Sequence, residues 1–124
     1  MGKTILVVDD SETIRKLVSV SVRVLTGCTT VEAQDGLQAI EQLNQQAVDL
    51  VITDLRMPRL TGLELISYMK NDPKHQQTPI ILLTTEAAEE DRRKGLALGA
   101  NEYLMKPFQP KQLQATLLKY LGAA

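Results

Sequence analysis

The sequence predicts an α/β domain in which five parallel strands alternate with five helices in a doubly wound sheet. Three observations predict it. Apolar runs such as Ile5-Leu6-Val7-Val8, Leu50-Val51-Ile52 and Ile80-Ile81-Leu82-Leu83 contain no polar residue, the pattern of strands buried on both faces. The segments between them carry apolar residues at helical spacing, and the connections are short. Right-handed crossovers between such units give a doubly wound parallel sheet.

In chain order, Thr4-Ile5-Leu6-Val7-Val8 is the first strand and ends in Asp9-Asp10. Ser11 caps a helix that runs to about Thr26, with Gly27 as its stop. Ile14, Leu17, Val18, Ser21, Val22 and Leu25 form its stripe. Val18 to Val24 also alternates at period two with many β-branched residues, which is strand chemistry. The longer window keeps the helical stripe, and a parallel sheet needs a crossover there, so a helix is expected. Residues 29–33 form a second, weaker strand closed by Asp35-Gly36. A helix over 37–46 turns Leu37, Ile40 and Leu43 inward.

The run from Val48 to Asp54 is the third strand, and the turn signal of Pro58 follows it. The helix over 63–70, entered through Thr61-Gly62, carries Leu63, Leu65, Ile66 and Met69. A polar loop containing His75 leads to the strand that ends at Thr84. The helix over 86–98 starts with Glu86, Glu89, Glu90 and Asp91 and continues with Arg92, Arg93 and Lys94, an order that complements the helix dipole. Gly95 costs this helix ~1 kcal/mol relative to Ala and marks it as the mobile one. Gly99 stops it. After the strand Tyr103-Leu104-Met105, Pro110 opens a last helix to Leu121.

At 124 residues the chain suits one domain, spanning 1–124. Hydrophobic residues make up 44% and aromatics 3%, so the core is aliphatic. The 14 basic and 15 acidic residues balance to -1, leaving no field that favours nucleic acid or an anionic membrane. Cys28 is the single cysteine, which excludes an internal disulfide and fits a reducing compartment. No run is long enough to cross a bilayer, so a soluble cytoplasmic domain is expected. Cys28 reads as a small buried apolar group, and His75 as solvent-exposed. Arg92-Arg93-Lys94 reads as a solvated face.

Four apolar runs each deliver a polar group at the C-terminal end: Asp9-Asp10, Asp54, Thr84-Thr85 and Lys106. Ligands of open α/β sheets bind outside the carboxyl ends of the strands. Three carboxylates at one mouth repel, so they hold either a proton or a cation. Mg²⁺ suits them, since it takes one or two carboxylates, waters and a phosphate oxygen. Lys106 supplies a positive charge for the same phosphate, and an aspartate beside a metal can form an acyl-phosphate. Taken alone, Asp9-Asp10 can equally cap a helix, Asp54 can be a turn residue, and Tyr103 reads equally as a half-buried strand aromatic.

The chain resembles the receiver domain of two-component response regulators. The likeness covers Ile5 to about Leu121. It is carried by Val7-Val8-Asp9-Asp10, by Asp54-Leu55-Arg56-Met57-Pro58 with Gly62, by Leu83-Thr84-Thr85, and by Gly99-Ala100-Asn101-Glu102-Tyr103-Leu104-Met105-Lys106-Pro107-Phe108. The resemblance implies a flavodoxin-like strand order, 2-1-3-4-5. It implies that Asp54 accepts a phosphoryl group from a sensor histidine kinase or phosphotransfer protein. Asp10 would bind Mg²⁺ directly and Asp9 through water, with Asp54 and the backbone carbonyl of Arg56 also ligating. Lys106 would pair with the phosphoryl group, Thr84 would hydrogen-bond it, and Tyr103 would track the state. A cis peptide between Lys106 and Pro107 is implied too. The partner face would comprise the 86–98 helix, the 103–105 strand and the 110–121 helix.

Arg56, Thr85 and Glu86 depart from the commoner family pattern and are expected to modulate the kinetics, with Arg56 and Glu86 pairing across the mouth. A phosphorelay intermediate or a receiver fragment of a larger regulator fits the same residues. A haloacid-dehalogenase-type phosphatase fits less well. It needs a second Asp two residues after the nucleophile, where this chain has Arg56 after Asp54 and Ser11 after Asp9. No glycine-rich phosphate cradle follows any strand.

Overall fold

A strand with no polar face has to lie between two layers, and the computed structural model, which describes residues 2–25 and 27–122, places the apolar runs there. Strands β1 (Lys3–Val8), β3 (Leu50–Asp54) and β4 (Ile80–Thr84) form the centre, with β2 (Cys28–Ala33) and β5 (Glu102–Met105) at the edges. All pairs are parallel, and the order is β2-β1-β3-β4-β5. Helices α1 (Glu12–Arg23) and α5 (Pro110–Leu121) cover one face. The other carries α2 (Gly36–Gln45), α3 (Gly62–Lys70) and α4 (Glu89–Leu98).

Alternate residues of each central strand serve the two layers. Leu6, Val8, Val51, Ile80 and Leu82 pack with Ala39, Leu43, Leu65, Ile66 and Met69. Ile5, Val7, Leu50, Ile52, Ile81 and Leu83 pack with Val18, Val22, Leu113 and Leu117. Full burial of each such Val, Leu, Ile or Met side chain stabilises the fold by roughly 1.5–3 kcal/mol.

The register fixes the working end. Val8 lies opposite Thr53, Asp54 opposite Leu83, and Thr84 opposite Met105. The next residue along β1 is therefore level with Asp54, and Lys106 lies one step beyond Thr84. The Lys106–Pro107 peptide bond is cis.

Several elements differ from the sequence expectation. Helix α1 ends at Arg23 with Val24 as its C-cap, and the expected end, Thr26, lies outside the described residues. Leu17 is exposed instead of lying on the inner stripe. Strand β2 is a full six-residue partner of β1 and starts at Cys28. Its cysteine is half-buried, at the strand's start on the sheet edge. Leu37 is exposed, and Gly36, Ala39 and Leu43 form the buried face of α2.

A capping box of Thr61 and Glu64 starts α3. The expected helix over 86–98 is a 3-10 turn, Glu86–Ala88, followed by α4. Gly95 is also where α4 contacts the sheet. A Cβ there would stand 2.6 Å from Leu82 Cδ1, so a larger residue would require the Leu82 side chain to shift in a packed core. His75 is buried, not exposed, because the turns over 71–78 fold back and set its ring 6.4 Å from that of Tyr68.

Candidate functional site

The four strand ends meet at one mouth. Asp9, Asp10 and Asp54 each offer a carboxylate oxygen, and these atoms lie within 4.8 Å of one another. Lys106 reaches them from the loop after β5. Its Nζ donates to Asp9 Oδ2 at 2.9 Å and pairs with Asp54 Oδ2 at 3.3 Å. Asp9 is fully buried, and its other oxygen accepts the Ser11 N–H at 2.9 Å. Arg15 Nη1 holds the Asp9 carbonyl at 2.7 Å. Asp10 is exposed and makes no hydrogen bond or ion pair with the described residues.

Asp54 is aimed by its own turn. Its Oδ1 accepts the backbone N–H of Leu55 at 2.7 Å and, more weakly, that of Arg56 at 3.4 Å. Gly62 lies against the back of this turn, where a Cβ would collide with the Asp54 carbonyl oxygen. Thr84 is buried, and its hydroxyl donates to the Thr85 carbonyl at 3.3 Å. A cavity of about 150 Å³ lies between Asp54, Arg56, Thr84, Thr85, Ala88 and Lys106.

The electrostatics are those of two carboxylates sharing one ammonium. Burial pushes the Asp9 carboxyl above its ordinary range, against the pull of the Ser11 N–H and Lys106, and the charge of Asp54 adds to the rise. Burial works against the Lys106 charge, but its hydrogen bond to Asp9 and the charges of Asp54 and Asp9 outweigh it, so the amine stays protonated beyond its usual range. A cluster with a buried carboxylate, excess negative charge and an open-sided Asp10 fits a hard divalent cation with oxygen ligands.

The residues singled out from the sequence fall into two groups. Asp9, Asp10, Asp54, Thr84 and Lys106 come together at the mouth. Thr85 and Glu86 are exposed at its rim, on the turn into α4. Arg56 does not pair with Glu86: its Nε lies 3.4 Å from Asp91 Oδ2. The start of α4 tightens to a 3-10 turn, and Asp91 occupies the first helical turn beyond it. Tyr103 stands on the edge strand, 40% exposed, with the Arg92 guanidinium 4.8 Å above its ring. Arg92 also donates to Met105 Sδ at 3.5 Å, so it is a packed residue and not part of a solvated face.

One pair was missed from the sequence. Arg59 Nη2 and Nε bind Asp35 Oδ2 at 2.6 and 2.9 Å, and Asp35 Oδ1 caps α2 through the Gln38 N–H. This clasp ties the turn after β2 to the loop after β3 and holds Arg59 at a φ of 67°. Nothing in residue spacing announces a contact between positions 24 apart.

A family model for the response regulator receiver domain matches residues 5–118. The phosphate regulon transcriptional regulatory protein PhoB of Escherichia coli is 38% identical over 117 residues, and the match covers 94% of this chain but 51% of PhoB. The chain thus spans about half the length of the PhoB relatives it matches. Chemotaxis response regulator CheY4 of Vibrio cholerae superposes with a TM-score of 0.89 at 36% identity, covering 98% of this chain and 100% of CheY4. The receiver domain of sensor histidine kinase PA1611 from Pseudomonas aeruginosa superposes with a TM-score of 0.89 at 32% identity, covering 99% and 100%. That structure has a magnesium ion coordinated in its active site cleft.

Proposed function

The chain belongs to the response regulator receiver domain family, and on that premise we propose that Asp54 is its phosphoacceptor. Receivers of this family signal, and they interact with histidine kinases and downstream effectors. The single observation that carries the assignment is Lys106 standing 2.9 Å from Asp9 and 3.3 Å from Asp54, with Asp10 at the same mouth.

In the proposed reaction an Asp54 carboxylate oxygen attacks the phosphorus of a phosphohistidine on a partner kinase or phosphotransfer protein. The O–P bond forms as the P–N bond breaks, and the imidazole leaves with the electron pair and takes a proton from solvent. Asp9, Asp10, Asp54 and the backbone carbonyl of Arg56 are the residues that would hold Mg²⁺, which when bound neutralises charge between donor and acceptor. Lys106, already charged and aimed at Asp54, pairs with the arriving phosphoryl oxygens. Thr84 exchanges its long bond to the Thr85 carbonyl for a phosphoryl oxygen. That exchange draws the 84–86 turn inward, and Tyr103 follows the change. Arg56, Thr85 and Glu86 control access to the mouth and the lifetime of the acyl-phosphate.

Residues 1–124 act as one receiver domain in the cytoplasm. No helix among the described residues is long and apolar enough to cross a membrane. A downstream protein docks on the face of α4, β5 and α5, where a groove of about 550 Å³ is lined by Leu96, Tyr103, Met105, Pro107 and Gln112. Incubation with acetyl phosphate and Mg²⁺, followed by intact mass measurement, tests the assignment. The wild type gains the mass of one phosphoryl group, and neither Asp54→Asn nor the chelated wild type does. Undiminished uptake by Asp54→Asn would refute it.

A further inference from the structure

We propose that Arg56 is a second cation for the anion carried on Asp54, and that it reaches this anion by giving up Asp91. Lys106 and Arg56 are the two cations among the described residues that line the cavity beside Asp54. Lys106 is already shared between Asp9 and Asp54 at 2.9 and 3.3 Å. Among the described residues the Arg56 side chain is held by Asp91 alone, through its Nε at 3.4 Å, and it is 73% exposed. Such a pair is weak.

A phosphoryl group on Asp54 brings about two negative charges and three acceptor oxygens to the cavity that Arg56 lines. The planar guanidinium fork suits phosphate oxygens better than the single contact it makes with Asp91. The anion therefore outcompetes Asp91. Asp91 tolerates the loss, because it lies in the first turn of α4, where the helix dipole favours a carboxylate.

The exchange carries information away from the mouth. The Arg56–Asp91 contact joins the loop after β3 to the start of α4. The next residue, Arg92, sits over Tyr103 and against Met105 on β5. Releasing Asp91 frees the first turn of α4 from the site and leaves Arg92 and Tyr103 able to move with it. The result is a charge exchange in which anion at Asp54 is read out at the α4–β5 surface. It rests on the reading of Asp54 as the acceptor, and it adds the partner that the new charge takes.

The test uses the full chain, Mg²⁺ and beryllofluoride, an acyl-phosphate mimic, titrated by calorimetry with amide chemical shifts followed in parallel. Asp91→Asn is expected to tighten binding about twofold to fivefold, the worth of an exposed ion pair. Arg56→Ala weakens it about fivefold to tenfold, and Arg56→Lys restores part of the loss. In an Arg56→Ala background Asp91→Asn has no effect, and the shifts of Asp91 and Arg92 on saturation disappear. Equal tightening by Asp91→Asn with and without Arg56, or no tightening at all, overturns the exchange while Asp54 still binds the mimic. A wild type that takes up no beryllofluoride overturns the acceptor reading, and the exchange with it.

Discussion

Replacing Asp10 by Asn is expected to make the protein more stable when cations are chelated. Asp10 is the clean perturbation, since it makes no hydrogen bond or ion pair with the described residues and so has little to lose. Its carboxylate lies within 4.8 Å of both Asp9 and Asp54. At that distance one pair of like charges repels by about 0.9 kcal/mol in water and about 3.5 kcal/mol at an effective dielectric of 20. Because Asp10 is exposed, the lower figure applies, and two pairs give about 1.7 kcal/mol. The ammonium of Lys106 attracts Asp10 and returns part of this. A net gain of about 1 kcal/mol remains, worth about 3–6 °C in Tm for a chain of this length. Urea or thermal unfolding at low ionic strength with EDTA measures it, and added salt should shrink it. Saturating Mg²⁺ should reverse the order, because the wild type gains linkage stabilisation that the variant cannot. If Asp10→Asn is no more stable than wild type in chelator at low salt, the mouth is not a cluster of repelling carboxylates and the electrostatic reasoning fails.

Gly62→Ala should destabilise the fold by about 1–3 kcal/mol and abolish phosphoryl uptake, since the new Cβ would meet the Asp54 carbonyl and Leu55 Cα; urea unfolding and intact mass check both parts. Arg59→Ala should cost about 1–2 kcal/mol, because it strips the partner from a buried carboxylate. Burial opposes ionisation of Asp35, but the Gln38 N–H and Arg59 outweigh it and hold the carboxyl below its ordinary value of 3.8. The stability from this pair is therefore present above pH 3.8 and lost as pH falls through the lowered value, so the wild-type advantage over Arg59→Ala should shrink in urea unfolding at pH 3. The Tyr120 hydroxyl donates to Glu102 at 2.6 Å, and that bond pushes the phenol up to about 12. Its stabilisation is complete below pH 10 and is lost as pH rises toward 12; an absorbance titration should show a late phenolate step that Tyr120→Phe removes.

The parts of the fold written in local chemistry were readable from the chain. Ile80 to Leu83 has the short, unbroken apolar run of an interior strand, and Pro110 suits the first turn of a helix, so both were placed to within a residue. Asp9, Asp54, Thr84 and Lys106 were readable because each closes an apolar run, and a parallel sheet brings such ends together. What failed depended on contacts between distant segments. Leu37 has the spacing of an inner residue, yet Gly36 takes the inner position because its backbone lies against Leu60. Gly95 has the propensity of a weak point, and its second role, as the place where α4 meets Leu82, has no sign in the sequence. Arg56 was paired with Glu86 because both flank the mouth. Its guanidinium instead meets Asp91, in the first turn of α4. His75 lies in a polar stretch that gives no sign of the turns that bury it. The Asp35–Arg59 clasp has no local signature at all.

The central proposal is that remote strand ends meet at one phosphoryl site. Borohydride trapping after acetyl phosphate treatment tests this most directly, because it reduces an acyl-phosphate to an alcohol at the residue that carried it, and peptide mapping then locates that residue. Reduction is expected at Asp54 alone, dependent on Mg²⁺ and strongly diminished in Lys106→Ala. Reduction at another carboxylate, or at Asp54 with no dependence on Mg²⁺ or Lys106, would contradict it.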